Sequence, residues 1–316
     1  MAIKIFIQTE FFEGGPAVFR SRIIPLLNKF KEIEVITDIK KSFDIELAFI
    51  RKVFKHNKPY ILRADGCYYE EDRKNSNKNI EEAFLGAKHI IFQSEFSFNL
   101  CKKVLNYNLQ KDYSIIYNGI NLDYIKKIEP AKDIEPGSFI SCAGWRPNKR
   151  PESTIKGFLK AKTGRHLYLV GDGGFVGEKI NKKYDSKYIH ILGKLSNKKT
   201  ISVMKACDYQ LHLCHIDSCP NAVIEGLSCG LKVLHTNLGG TKELVKNNGV
   251  MLSVDKMWDG RYMKKTNLDN LNNKEVATGI IELLKLKKEK TNVLNFDINI
   301  TAQKYLKIIK KVLGKI

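Results

Sequence analysis

Asp217 and Glu225 stand with seven residues between them in the run DSCPNAVIEG, inside a segment otherwise apolar enough to be buried. An ionised carboxylate stripped of water without a partner is costly, so two acids around a Cys-Pro turn point to a polar ligand or a counter-charge. Cations lie upstream. CAGWRPNKRPE, residues 142–152, carries Arg146, Lys149 and Arg150 between an apolar strand-like run and a helix opening near Pro151. Three cations at a helix N-terminus suit a polyanion, whereas a solvated basic turn would rarely include a tryptophan. EGGPAVF, residues 13–19, opens the first helix-length segment. Gly14 and Gly15 could admit backbone amides to a phosphate there, or form a tight turn before Pro16 at the first helical position.

Other strand ends are less specific. Arg63 and Asp65 in YILRADG share one side of an extended end and are expected to pair with each other. Asn118-Gly119 reads as a turn dipeptide and HLYLVGDGG as a strand ending in a Gly-rich turn. The main chain of Leu192 to Leu195, in HILGKLSN, is where a nucleotide base could be met. His212 and His215 read as packed histidines rather than bases. Neither G-x-G-x-x-G nor G-K-[ST] occurs, which argues against dinucleotide-dependent hydride transfer and ATP hydrolysis, and no D-x-D pair suggests a metal.

Composition sets the scale. A chain of 316 residues with 43% apolar content exceeds one hydrophobic core, so two domains are expected. No apolar run reaches membrane-spanning length, and MAIKIFIQTEFF lacks the unbroken apolar centre of a signal peptide, so a cytoplasmic location is expected. The seven cysteines are scattered without a C-x-x-C pair, which disfavours a disulfide framework or structural zinc. The formal charge of +20 would attract nucleic acid, anionic membrane or phosphorylated substrates, although lysine strewn among Asn and Ile is equally a compositional bias.

These residues must be positioned by alternating strands and helices. IKIFIQ, IEVIT, IELAFI, YILRA, HIIFQS and SIIYN read as strands, with helices over 17–30 and 80–86, the pattern of a parallel sheet. KKIEPAKDIEPGS, residues 126–138, has two prolines and no apolar period and reads as a linker. A second series follows, with strands SFISCAG, HLYLVG, YIHILG, YQLHLC and LKVLHT and helices over 153–162, 197–206 and 222–228. Domains are therefore expected at 1–130 and 138–297, with ligands beyond the carboxyl ends of the strands. Residues 298–316 form a helix whose stripe is Tyr305, Leu306, Ile309, Val312, Leu313 and Ile316 against a lysine face, read as a packing helix rather than a membrane anchor.

The run from Cys142 to Val245 resembles the donor-binding domain of retaining GT-B glycosyltransferases of the large group-one family, through the acid, seven residues and Glu, and through CGLKVLHTNLGGTKELV after it. EGGPAVF, IFQSEFSFNL and IIYNGINLDYI extend the likeness more faintly into the first half. The resemblance implies an α/β fold of two Rossmann-like domains facing a cleft, the C-terminal helix packing back on the N-terminal, acceptor-side domain. It implies transfer of a sugar from a nucleoside-diphosphate sugar to a glycan, lipid-linked or small-molecule acceptor, without a cofactor or metal. Glu225 would hold the ribose, whose vicinal hydroxyls match its two acceptor oxygens. Asp217 would hold a sugar hydroxyl; Arg146 and Lys149, with Arg150 able to stand in, would take the diphosphate. Gly14, Gly15, Leu195, Asn221 and Ala222 would contribute main-chain contacts. The family usually has Glu, and Gly two residues on, where this chain has Asp217 and Cys219-Pro220. Asp65 is the nearest substitute for a first-domain histidine that many members place beside the sugar.

Rival readings are a sugar-nucleotide epimerase on the same architecture, an inactive homologue acting as a scaffold, and a nucleic-acid-binding protein suggested by charge alone. The last lacks a recognition helix, an aromatic RNA-binding strand or a zinc finger, so no nucleic-acid partner is expected. Peripheral contact with an anionic membrane remains a reading of the charge.

Overall fold

A computed structural model of the chain describes residues 2–9, 14–105, 111–172, 184, 186–253, 262–263, 270–287 and 292–315. Glu13, Gly173, Gly174 and Ile316, each part of a motif above, lie outside the described residues. Two units form, one of 1–121, 259–266 and 294–316, the other of 122–258 and 267–293.

The first unit is built on β1 (Ile3–Phe6), β2 (Ile33–Ile36), β3 (Ile45–Phe49), β4 (Tyr60–Ala64), β5 (His89–Phe92) and β6 (Tyr113–Ile115), all parallel in the order β2-β1-β3-β4-β5-β6. β3 and β4 are buried along their whole length, as strands covered on both faces must be, and each run is apolar but for one buried charged residue, Glu46 or Arg63. Helix α1 (Gly15–Leu27) follows β1, with Pro16 at its second position rather than its first. Helices α2 (Lys78–Gly86) and α3 (Glu95–Val104) follow β4 and β5. Periodicity did not single out α3. Its start is set instead by a capping box, in which the Ser94 side chain accepts from the Ser97 amide while the Ser97 hydroxyl accepts from that of Ser94.

The division falls between Asn121 and Leu122, not at 130, and the stretch read as a linker belongs to the second unit. Helix α4 (Leu122–Lys126) opens that unit. Lys205 donates to the carbonyls of Ile125, Lys126 and Ile128, at 3.2, 3.2 and 2.5 Å. Ser202 ties down the Glu129 carbonyl and Ala131 donates back to Ser202. A polar, proline-containing stretch can thus be fixed by side chains donating to its carbonyls without any hydrophobic period.

The second sheet comprises β7 (Phe139–Cys142), β8 (Leu167–Val170), β9 (Ile189–Gly193), β10 (Tyr209–His212), β11 (Lys232–Thr236) and β12 (Gly249–Leu252), parallel throughout in the order β12-β11-β10-β7-β8-β9. Its helices are α5 (Pro151–Ala161), α6 (Asn197–Ala206), α7 (Asn221–Ser228), α8 (Thr241–Val245) and α9 (Asn273–Lys285). The chain starts in the middle at β7, runs outward through β8 and β9, then returns to lay β10, β11 and β12 on the other side. This is the Rossmann order, and it reverses between β7 and β10.

Helix α10 (Ile298–Val312) returns to the first unit. Ile298, Ala302, Tyr305, Ile308 and Ile309 enter the core that holds Phe19, Ile23 and Leu27 of α1. Asn118-Gly119 is more than a turn, because a Cβ on Gly119 would lie 2.7 Å from the Ile298 backbone, and the Ile120–Asp297 bridge joins the chain there. No helix among the described residues is long and apolar enough to cross a membrane. Tyr305 is 1% exposed with its ring 5.8 Å from that of Phe19, so Tyr305→Ala is expected to lower first-unit stability by roughly 3–5 kcal/mol, measured by urea denaturation.

Candidate active site at the switch point of the second sheet

The two loops that leave the sheet on either side of its reversal carry most of the residues singled out by chemistry. After β7 the chain passes through buried Trp145, whose amide donates to the Asp172 carbonyl at 2.6 Å, into a 3-10 turn over Pro147–Lys149. Arg150 then adopts a left-handed conformation, φ 50°, and starts α5. That reversal separates three neighbouring cations. Arg146 is exposed and has no ion-pair partner among the described residues. Lys149 and Arg150 turn inward instead.

Arg150 is buried, its Nη2 lying 3.2 Å from His215 Nδ1 while its carbonyl accepts from Thr154. It therefore joins the β7 and β10 loops rather than facing solvent as Arg146 does. The His215 amide, donating to the Asn148 carbonyl at 2.8 Å, makes a second tie between them. Lys149 makes the third, with Nζ 2.5 Å from Asp217 Oδ2. The loop after β10 is held from its other side by Gly240, whose amide donates to the Asp217 carbonyl at 2.8 Å, and by Thr236, which donates to the Cys214 carbonyl.

Electrostatics follow from this packing. Burial works against the Lys149 ammonium, yet the Asp217 carboxylate and the Cys214 thiol outweigh it and raise its pKa above the ordinary lysine value. Burial likewise opposes charge on Asp217, but Lys149 and then His212 hold its pKa below the usual carboxylate range. His212, 3.8 Å from the same carboxylate oxygen, is driven down to about 3 by burial and by the Lys149 charge, so it is neutral. His212, Cys214 and Asp217 bring ligand-type atoms within 4.8 Å of one another, a nitrogen, sulfur and oxygen set. Lys149 supplies a cation to the oxygen of that set.

Glu225 sits on α7, 8% exposed, with Oε1 accepting from Asn197 Nδ2 at 3.2 Å. Its charge raises the thiol pKa values of Cys142, at the end of β7, and Cys229, after burial has done most of that work. Helix α7 reaches this position because residue 226 is glycine: a Cβ there would stand 2.0 Å from Gln210 Oε1. Asn221 and Ala222 form the first turn of α7, half-buried, and Leu195 is half-buried just ahead of α6. Gly14 and Gly15 belong to the first unit, where Gly14 takes φ 71° ahead of α1 and a Cβ on either would meet nothing within 4 Å.

Residues 139–284 match the family model of glycosyl transferases group 1. That stretch covers less than half of the chain, and the match is one of similarity to that family. An uncharacterized glycosyltransferase of Methanocaldococcus jannaschii is 25% identical over 179 residues, covering 55% of this chain and 48% of its own. The chain thus spans about half the length of that curated relative. Solved structures with the same fold include sucrose-phosphate synthase of Thermosynechococcus elongatus, at TM-score 0.72 and 11% identity over 99% of this chain and 100% of the other. HepE of Anabaena, solved in complex with UDP, gives 0.67 and 14% over 98% and 100%. At such identities the likeness is one of fold, two Rossmann-like α/β units of the GT-B type.

Two participants escaped sequence reasoning. Asn197 is an ordinary helix-start residue until α7 brings Glu225 beside it. The Lys149–Asp217 pair joins residues 68 positions apart, and no local pattern announces it.

The pair makes a stability prediction. Either Lys149→Met or Asp217→Asn leaves a half-buried charge alone and is expected to cost about 1–3 kcal/mol, with the double variant recovering much of the loss in a denaturation cycle. A pH dependence accompanies it. A histidine held neutral down to about 3 binds fewer protons folded than unfolded, so stability should fall as pH drops from the unfolded value of about 6.5 toward 3. His212→Asn should flatten that limb, and a profile identical to wild type would contradict the assignment.

Proposed function

We propose that this chain is a glycosyltransferase that moves a sugar from a nucleoside-diphosphate sugar to an acceptor hydroxyl, with retention and without a metal. One observation carries the reading: at the switch point of a Rossmann-order sheet, a half-buried, permanently charged lysine from one strand end meets an acid from the other. Doubly wound sheets bind ligands at this place. The match of residues 139–284 to the group 1 family model supports the reaction class, and the UDP and UDP-glucose complexes of HepE support the donor class.

The chemistry follows from charge. Breaking the bond between anomeric carbon and phosphate leaves a nucleoside diphosphate with added negative charge. Arg146 is exposed and uncommitted among the described residues, and Lys149 has a third donor beyond those directed at Asp217 and Cys214. Cations already fixed beside the diphosphate stabilise that developing charge without reorganising. A unit charge pair at 4 Å contributes on the order of 4 kcal/mol at an effective dielectric of 20, and each ~1.4 kcal/mol gained only in the transition state is tenfold in rate. Asp217 both anchors Lys149 and presents its other oxygen to a donor-sugar hydroxyl. Glu225, preset by Asn197, accepts from the ribose hydroxyls, each charge-assisted bond contributing roughly 1.5–3 kcal/mol. Amides of Asn221 and Ala222 at the start of α7 face the diphosphate or sugar, and Leu195 lies on the side of the base. Arg150 orders the turn that aims Lys149. With retention, the departing phosphate takes the acceptor's proton.

The test pairs binding with turnover. Uridine diphosphate should raise the melting temperature of wild type, and Glu225→Ala should lose most of that rise. Arg146→Ala should lower kcat at least tenfold while moving KM less. Wild-type behaviour of both variants would sink the site.

A further inference from the structure

None of the seven cysteines is in a disulfide, and five of them are buried, leaving Cys67 and Cys229 in partial contact with solvent. The Cys229 thiol is pushed up to about 12, by burial first and then by the Glu225 charge, so it holds its proton and is inert. Cys67 is placed differently. It leaves the carboxyl end of β4 just after Gly66, where φ is 120°, and packs beside Ile50 and Tyr68 against the apolar cluster that holds Cys101 of α3.

The two thiols meet where the chain leaves β4 and α3 follows β5. Cys101 is fully buried, and its thiol is raised well above the ordinary value, by hydrogen bonding to Cys67 first and by burial next, with the Asp65 charge adding a smaller share. Cys101 therefore keeps its proton and directs it at the Cys67 sulfur. A buried thiol alone is only a small apolar side chain. An accessible thiol in contact with a buried one is the arrangement in which a sulfenic acid can be resolved to a disulfide.

The surroundings hold the pair in place. Asp65 makes the pair with Arg63 expected from the sequence, and Arg63 also donates to Asn118 Oδ1 at 2.5 Å and lies 4.1 Å from the ring centre of Phe19. The other Asp65 oxygen, Oδ2, is buried and accepts no hydrogen bond among the described residues. Next to Arg63, the Ile50 amide donates to its carbonyl at 2.9 Å from a left-handed turn of φ 63°. On the far side of Cys67, Asn77 clamps Tyr68, accepting from its amide at 2.9 Å and donating to its carbonyl at 2.7 Å. Cys67 thus lies between anchored neighbours, with Gly66 as a joint able to turn without steric cost.

We propose that Cys67 and Cys101 form an oxidative modification site for hydrogen peroxide, whose product, a disulfide, fastens the segment after β4 to α3. The Cys67 sulfur attacks one peroxide oxygen, the O–O bond breaks, and one water leaves while the sulfur becomes a sulfenic acid. The Cys101 sulfur then attacks the Cys67 sulfur, and the hydroxyl departs with the Cys101 proton as a second water. Two thiols are oxidised to one disulfide and one peroxide is reduced to two waters. A thiol reductant reverses the bond.

The reduced full chain would be treated with hydrogen peroxide, its remaining thiols blocked, and its peptides mapped by mass spectrometry. Wild type should yield a Cys67–Cys101 cross-linked peptide that dithiothreitol abolishes, formed roughly tenfold faster than any other thiol is lost. Cys101→Ala permits the first step without the second, so Cys67 should accumulate as sulfenic acid and take up dimedone. Cys67→Ser, at a half-exposed position that does not threaten folding, should take up none and form no cross-link. Amide hydrogen exchange across residues 66–69 should slow about tenfold in peroxide-treated wild type and stay unchanged in Cys67→Ser. A cross-link joining another pair, Cys67 carried on to sulfinic acid without a cross-link, an unreactive Cys67, or unaltered exchange in the cross-linked chain overturns the proposal.

Discussion

The second unit depends on a largely desolvated cation that cannot be left alone. Lys149 is pulled out of water by the turn after β7, and the only way to keep an ammonium there is to answer it with a carboxylate from the far side of the sheet reversal. That requirement couples two loops with no other reason to share a geometry, and His215, Asn148 and Arg150 repeat the tie through main chain and side chain. A cation so fixed meets its reorganisation cost at folding, so it is already in place for any anion that reaches it.

The neighbouring histidine shows the same constraint from the other side. His212 shares the Asp217 carboxylate with Lys149 and is pushed down to about 3, so proton transfer through its imidazolium is foreclosed near neutral pH. Its contribution is to occupy volume and offer a neutral dipole beside the ion pair. Asp217 follows the same logic: part of its acceptor capacity is already committed to Lys149.

The first unit solves a different problem. Its sheet is completed by a helix from the far end of the chain, because α1 alone leaves apolar surface that Tyr305, Ile308 and Ile309 cover. At the carboxyl end of that sheet, Arg63 stacked on Phe19 links the same core to a polar network. Apolar packing and a buried polar network are therefore continuous in this unit, and the left-handed turn at Ile50 is held by the strands around it.

Much of this was legible in sequence. Strand runs and the helix over 197–206 follow from local apolar period and cap chemistry, and the spacing of Asp217 and Glu225 follows from one turn and one helix. The domain limits were less legible, since residues 126–138 look like a linker until Lys205 and Ser202 bind their carbonyls. Sequence by itself determined which residues follow strands and which cations and acids are available, because these depend on neighbours a few positions apart. Tertiary structure alone decided that Lys149 rather than Arg150 meets Asp217, that Asn197 braces Glu225, and that Asp65 keeps one oxygen unanswered. Those outcomes turn on a single left-handed residue, on strand order and on burial, which act between residues tens of positions apart and leave no periodic trace.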